Sequence, residues 1–212
     1  MGETKEVCFV RATDIYNDSR ATKEITALAE NGYHVTVLGW NRLGGAPEGC
    51  ERVFNKLSKC ISLHFFDCYM PSGIGFRNID KLYSWIKWVR RELENMTWPV
   101  VVHACDLDSG IGAYRFCKAR GIKLFYDIYD YYIDSHNVPA LLRWYVEGLE
   151  IEIINNADIT VICTEERKEQ ISKAHPKKLL VMHNSPEIEE LQENAIVNDY
   201  VYCGALGGSR LV

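Results

Sequence analysis

Val7–Cys8–Phe9–Val10, then Arg11–Ala12–Thr13–Asp14–Ile15–Tyr16–Asn17, then a helical stretch closing at Gly32, then Val35–Thr36–Val37–Leu38: this opening passage decides the fold class. The first and last runs are short, apolar and β-branched, which reads as buried strand. Between them Ser19–Asn31 reads as helix, with Asp18 or Ser19 as its cap and Gly32 as its stop. A strand, a helix and a second strand in that order form the unit of a parallel sheet.

The alternation continues along the chain. Residues 41–59 are polar and contain glycines, which predicts a loop with a weak strand near Val53. Ile61–Phe66 is the next strand, followed by a loop containing Pro71, Gly73 and Gly75. The pattern then predicts a helix over Asn78–Met96, a strand over Val100–His103 and a helix over Ser109–Ala119, with Asp108 as its cap and Gly121 as its stop. Strands at Lys123–Asp127, Ile159–Cys163 and Leu179–Met182 flank helices that run from Pro139 to Asn155 and over Glu165–Lys173. A last strand, Tyr200–Cys203, leads into Gly204. The fold class read from this order is α/β, a doubly wound parallel sheet of Rossmann-like type.

Composition agrees. The 212 residues are 47% apolar, 25% charged and 11% aromatic, which excludes a disordered or collagen-like chain. No apolar run approaches the roughly 18 residues of a membrane span. The charged opening residues Glu3, Lys5 and Glu6 do not read as a secretion signal. A net charge of −5 argues against nucleic acid as a partner. None of the eight cysteines forms a Cys-x-x-Cys pair, and several sit in apolar runs, as Cys8 and Cys163 do. They read as reduced core thiols of a cytoplasmic protein.

In a doubly wound sheet, ligands sit at the carboxyl ends of the strands. The loop after Val10 holds no glycine, which argues against a dinucleotide pyrophosphate and against other Rossmann-like enzymes such as epimerases. The sequence contains neither a P-loop nor a Gly-x-Ser-x-Gly elbow. The strand ends instead carry polar clusters. Asp18–Ser19–Arg20 offers an anion site, or simply a cap and a surface arginine. His103–Ala104–Cys105–Asp106 sets an imidazole beside a carboxylate, a pair that can orient or deprotonate a hydroxyl and that also occurs as a satisfied buried histidine with a cap. Asp127 and Asp130, interleaved with Tyr126, Tyr129, Tyr131 and Tyr132, offer acceptors and flat faces suited to a sugar, although tyrosines also pack well at strand ends. Asn184 and Ser185 supply another polar turn.

Taken in order, these pieces resemble the N-terminal half of family 4 glycosyltransferases, which have the two-Rossmann GT-B type fold. They are Asp18–Ser19–Arg20 with Lys23, Asn31–Gly32–Tyr33–His34–Val35, His103–Ala104–Cys105–Asp106, Lys123–Leu124–Phe125–Tyr126–Asp127, Glu150 ahead of Ala157–Asp158, and Val181–Met182–His183–Asn184–Ser185–Pro186. The resemblance implies transfer of a sugar from a nucleotide-sugar to an acceptor hydroxyl, usually with retention, without a metal and with no cofactor beyond that co-substrate. It implies catalytic roles for His103 and Asp106. Asp18, Arg20, Asp127, Tyr129, Asp130, Asn184 and Gly204 would bind substrate, with Arg20 near a donor phosphate or an acidic acceptor group. Relatives often carry a His-Glu pair where this chain has Tyr129–Asp130, which leaves Asp130 as an acceptor for a hydroxyl. The donor half of such enzymes holds a Glu-x7-Glu pair that this chain lacks. Residues 1–198 are therefore expected to be the acceptor-side domain, and 199–212 the start of a missing donor-binding domain.

Two readings follow. The first is the acceptor-binding half of a glycosyltransferase of polysaccharide biosynthesis, inactive by itself and acting on a glycan or lipid-linked sugar. The second is a non-catalytic module that binds a glycan or a partner. Apolar surface near Tyr200–Leu211, exposed where the second half would normally shelter it, would make the fragment self-associate. Ile79, Leu82, Ile86, Val89, Leu93 and Met96 form one apolar stripe on the Asn78–Met96 helix. This stripe predicts Trp85 and Trp88 on its flank among Lys81, Lys87, Arg90 and Arg91, suited to a weak contact at the inner face of a membrane or to packing on a neighbouring loop.

Overall fold

A computed structural model describes residues 5–70, 78–96 and 99–185. The Pro71–Gly75 loop, the Tyr200–Cys203 strand, Gly204, the domain boundary after residue 198 and the expected apolar surface at 200–211 lie outside the described residues.

The described strands are β1 (Glu6–Arg11), β2 (His34–Asn41), β3 (Ile61–Asp67), β4 (Val101–Cys105), β5 (Lys123–Ile128), β6 (Ile159–Ile162) and β7 (Leu179–Val181). All pair in parallel, in the order β3–β2–β1–β4–β5–β6–β7. The helices are α1 (Ser19–Glu30), α2 (Ala46–Val53), α3 (Ile79–Asn95), α4 (Asp106–Arg120), α5 (Tyr132–Ser135) and α6 (Ala140–Asn156). This is the doubly wound Rossmann-like sheet read from the sequence. Chain order reverses between β1 and β4, which opens a crevice at their carboxyl ends.

Both faces of the sheet are covered because successive strand residues point to opposite sides. Cys8 and Val10 of β1 join Leu38, Trp40, Val102, Ala104, Tyr126 and Ile128 in one core, sealed by Trp85, Val89 and Leu93 of α3, Phe116 of α4 and Ile153 and Ile154 of α6. On the other face Phe9, Val35, Val37 and Cys105 pack beneath Ala21, Ile25 and Ala29 of α1 and Cys50 of α2. The described cysteines are all free thiols, four of them buried, as expected of reduced core residues. No helix among the described residues is long and apolar enough to cross a membrane.

Local signals held where they had a backbone reason. Asp18 accepts the Ala21 amide at 3.1 Å and caps α1. Gly32 and Gly121 take positive φ of 83° and 68° just past the ends of α1 and α4, a conformation costly to residues with a Cβ.

Four expectations are corrected. Residues 41–59 contain α2 and a 3-10 turn at Asn55–Leu57, with no strand at Val53. Asn41 accepts the Ala46 amide at 3.2 Å, Pro47 sits in the first turn, and the Tyr16 ring occupies the space a Cβ at Gly49 would need. Asp108 does not cap α4, because the helix begins at Asp106, whose φ of 61° turns the chain directly out of β4. Glu165–Lys173 is a 3-10 turn at Glu165–Lys168 followed by further turns. Finally, Trp85 is not on the flank of α3. It is fully buried, stacked on Trp40 and Trp88 at 5.3 and 5.4 Å, while Ile79 of the supposed stripe is exposed. The indole ring fills the space above β2, and membrane contact through Trp85 has no surface to use.

Candidate active site at the strand carboxyl ends

Register assembles the site. Across the sheet Phe9 stands beside His103 and His103 beside Phe125; two residues on, Arg11 stands beside Cys105 and Cys105 beside Asp127. These side chains share the face beneath α1, from which Arg20 and Glu24 project one turn apart.

Arg11 and Asp106 stand on either side of the reversal between β1 and β4. Arg11 donates from Nε to Asp18 Oδ2 at 2.9 Å and from Nη1 to Asp106 Oδ2. The other oxygen of Asp106 accepts the amides of Tyr129 and Asp130 at 2.8 and 3.1 Å. Burial pushes the Asp106 carboxyl up, while Arg11 and these amides favour the carboxylate. Its acceptor capacity is spent on holding the turn after β5.

Arg20 completes a second cluster. It donates from Nη2 to Asp127 Oδ1 at 2.5 Å and from Nε to Glu24 Oε1 at 3.0 Å. Tyr129 donates to Glu24 Oε2 at 2.8 Å, and the guanidinium groups of Arg11 and Arg20 each lie over its ring, 4.3 and 4.2 Å from the centroid. Burial, followed by the neighbouring Cys105 and Glu24, raises the Tyr129 phenol far above its ordinary value, so it stays a donor. His103 is wedged between Phe9 and Phe125 at 4.6 and 4.5 Å. Its Nε2 faces Glu24 Oε2 at 3.6 Å and Asp127 Oδ2 at 3.5 Å. Both Nε2 and Asp127 Oδ2 are buried without a hydrogen-bond partner.

The rim is more open. Asp130 is exposed and faces Arg167 Nη2 at 3.4 Å, while Arg167 Nη1 donates to the Tyr129 carbonyl at 2.5 Å. Asn184 is exposed, and the next residue's carbonyl accepts from Lys23 Nζ at 3.1 Å. Below the network, on the opposite face, Glu150 accepts Tyr126 Oη–H at 3.0 Å and the Tyr132 amide at 3.1 Å. Burial pushes its carboxyl up to about 8, and burial with Asp106 pushes Asp108 up to about 6.

The structure thus gathers Asp18, Arg20, His103, Asp106, Asp127 and Tyr129 into one interlocked network and leaves Asp130 and Asn184 on its rim. Arg20, expected near a phosphate, has its guanidinium occupied by Asp127 and Glu24. His103 turns Nε2 inward, out of contact with solvent. Sequence reading missed Arg11, Glu24, Cys105 and Arg167. Glu24 had a usable signal, its i+4 spacing from Arg20. Arg167 had none, because its turn was read as helix.

No protein-family model matches the chain, and no curated protein matches it. Solved structures do. Sucrose-phosphate synthase from Thermosynechococcus elongatus superposes with a TM-score of 0.58 at 12% identity, covering 84% of this chain and 48% of that one. UGT89C1 of Arabidopsis thaliana, complexed with UDP-L-rhamnose, gives 0.58 at 12% identity over 91% of this chain and 56% of that one. The fold is a Rossmann-like α/β unit, similar to about half of each of these GT-B glycosyltransferase structures. A Listeria monocytogenes protein described as a UDP-N-acetylglucosamine 2-epimerase shares it, with a TM-score of 0.55 at 14% identity over 85% of this chain and 45% of that one. The chain spans about half the length of these neighbours.

Proposed function

We propose that the chain is the acceptor-binding half of a nucleotide-sugar-dependent glycosyltransferase. The observation that carries this reading is the charged network straddling the β1–β4 reversal, the place where this architecture binds ligands. The GT-B likeness supports it, as does the UDP-sugar bound in the Arabidopsis neighbour.

In this reading the acceptor lies over the Tyr129–Asp130 turn. Asp130 and Asn184 take its hydroxyls, and Arg167 holds the turn from outside. Asp106 and His103, the pair expected to orient the acceptor, work from beneath. Asp106 fixes the turn through two amides and Arg11, and His103 faces the Glu24–Asp127 pair that Arg20 clamps. Asp18 anchors Arg11, and Asp127 anchors Arg20. A preset polar surface of this kind lowers the cost of orienting a flexible sugar.

The test uses the protein with its complete reading frame, assayed against a panel of nucleotide-sugars and glycan acceptors. Substituting Asp130→Asn with Asn184→Ala, both exposed, is expected to raise the acceptor KM about 30-fold while leaving the melting temperature unchanged, since each of the two lost hydrogen bonds is worth roughly 1 kcal/mol. Transfer insensitive to the double substitution would refute the acceptor surface. Glycan binding without transfer from any donor would favour the non-catalytic module.

A further inference from the structure

Beneath α1 the polar atoms are arranged in a way that glycosyl transfer does not require. Arg20 takes the outer oxygen of each carboxylate, Oε1 of Glu24 and Oδ1 of Asp127. The inner oxygens, Oε2 and Oδ2, are left facing His103 Nε2 at 3.6 and 3.5 Å. His103 Nε2 and Asp127 Oδ2 are both sealed from water and have no hydrogen-bond partner, which is a costly arrangement for buried polar atoms. Cys105, two residues along β4 on the same face, completes the group: its Sγ lies with donor atoms of Glu24 and His103 inside 4.8 Å of one another.

We propose that Glu24, His103 and Cys105 form a buried site for a thiophilic divalent cation of the zinc type, with the unpartnered Asp127 Oδ2 beside it. An imidazole nitrogen, a thiolate and carboxylate oxygens are the ligands such an ion selects, and ligand pairs about 3.3–3.7 Å apart are the edges of a tetrahedron with bonds of about 2.0–2.3 Å. The surrounding shell is in place: Tyr129 donates to Glu24, and Arg20 fixes both carboxylates. Donors from α1 and β4 would pin the helix to the sheet, a structural role. The inference does not rest on the glycosyltransferase reading.

The experiment titrates EDTA-treated protein with Co(II) and Zn(II) alone. Expected are saturation at one ion per chain, a tetrahedral Co(II) spectrum with a thiolate charge-transfer band, and a melting temperature raised by Zn(II). Cys105→Ser should abolish the charge-transfer band, and both Cys105→Ser and His103→Asn should weaken Zn(II) binding at least about 10-fold, the minimum cost of losing even an outer partner. Cys60→Ser, on the far side of β2, should behave as wild type. Binding well below one equivalent would overturn the site, as would an affinity unchanged in both ligand variants. Should the ligand variants fail to fold, the wild-type Co(II) spectrum decides alone: an octahedral spectrum without the thiolate band refutes it.

Discussion

At the scale of single residues, Glu150 is the most consequential carboxyl outside the candidate site. It is fully buried, and among the described residues it accepts the Tyr126 hydroxyl and the Tyr132 amide. Its carboxyl, pushed by burial from 4.5 to about 8, is neutral at pH 7. A carboxyl whose folded value is raised binds more protons folded than unfolded, so its contribution is complete below the unfolded value and is lost as pH rises through the folded one. Wild-type stability in urea should therefore fall from about pH 5 to about pH 8 relative to Glu150→Gln, which does not titrate. The glutamine Oε1 can accept the Tyr132 amide while its NH2 donates to the Tyr126 hydroxyl oxygen. Glu150→Ala strands a phenol and an amide and opens a cavity, with an expected cost of about 2–4 kcal/mol at any pH. A Gln variant with the wild-type pH profile would show that Glu150 does not titrate in this window.

Among the elements, α4 is the one whose sequence disguises its packing. Gly110 and Gly112 lower its intrinsic helicity, yet both are buried. A Cβ at Gly110 would stand 2.7 Å from the Tyr126 ring, and one at Gly112 would stand 3.0 Å from the Ile86 carbonyl of α3. The glycines let α3 and the Tyr126–Glu150 pair approach closely. Gly112→Ala should therefore destabilise the protein by about 1–3 kcal/mol although alanine favours helix by about 1 kcal/mol. Gly148→Ala in α6, where nothing lies within 4 Å of the new methyl, should stabilise by up to about 1 kcal/mol. Chemical denaturation of the two variants side by side checks both signs. The same logic explains why α2 escaped the sequence: a segment of eight residues with Pro47 and Gly49 has little helical propensity, and it is held by Tyr16 and its buried Cys50.

Over the whole molecule, one sheet separates two cores, and β1, β2 and β4 each contribute to both. Neither core can come apart without breaking strands that the other needs, so the described residues should unfold as one unit. Tryptophan fluorescence reports the Trp40–Trp85–Trp88 stack on one face, and far-UV circular dichroism reports helices on both. Their denaturation midpoints should coincide, and a displaced fluorescence transition would show that the α3 side melts separately. The sequence alone determined the parallel α/β class, the order of the strands along the chain, a helix cap at Asp18 or Ser19, and the glycine stops. Those features arise from local physics: a buried parallel strand needs an unbroken apolar run, and a helix end needs a partner for its free amides or a residue that tolerates positive φ. It also placed polar residues at the carboxyl ends of β1, β4 and β5. Which of them meet was decided only by tertiary structure. Alternation along β4 puts His103 and Cys105 on one face, but pairing with β5 brings Asp127 beside them, and the path of α1 brings Arg20 and Glu24 over them. Trp85 was drawn inward by Trp40 and Phe66, partners distant in sequence, so the periodicity of α3 could not reveal its place. Side-chain spacing reports which face a residue shares, and the fold alone supplies what lies opposite.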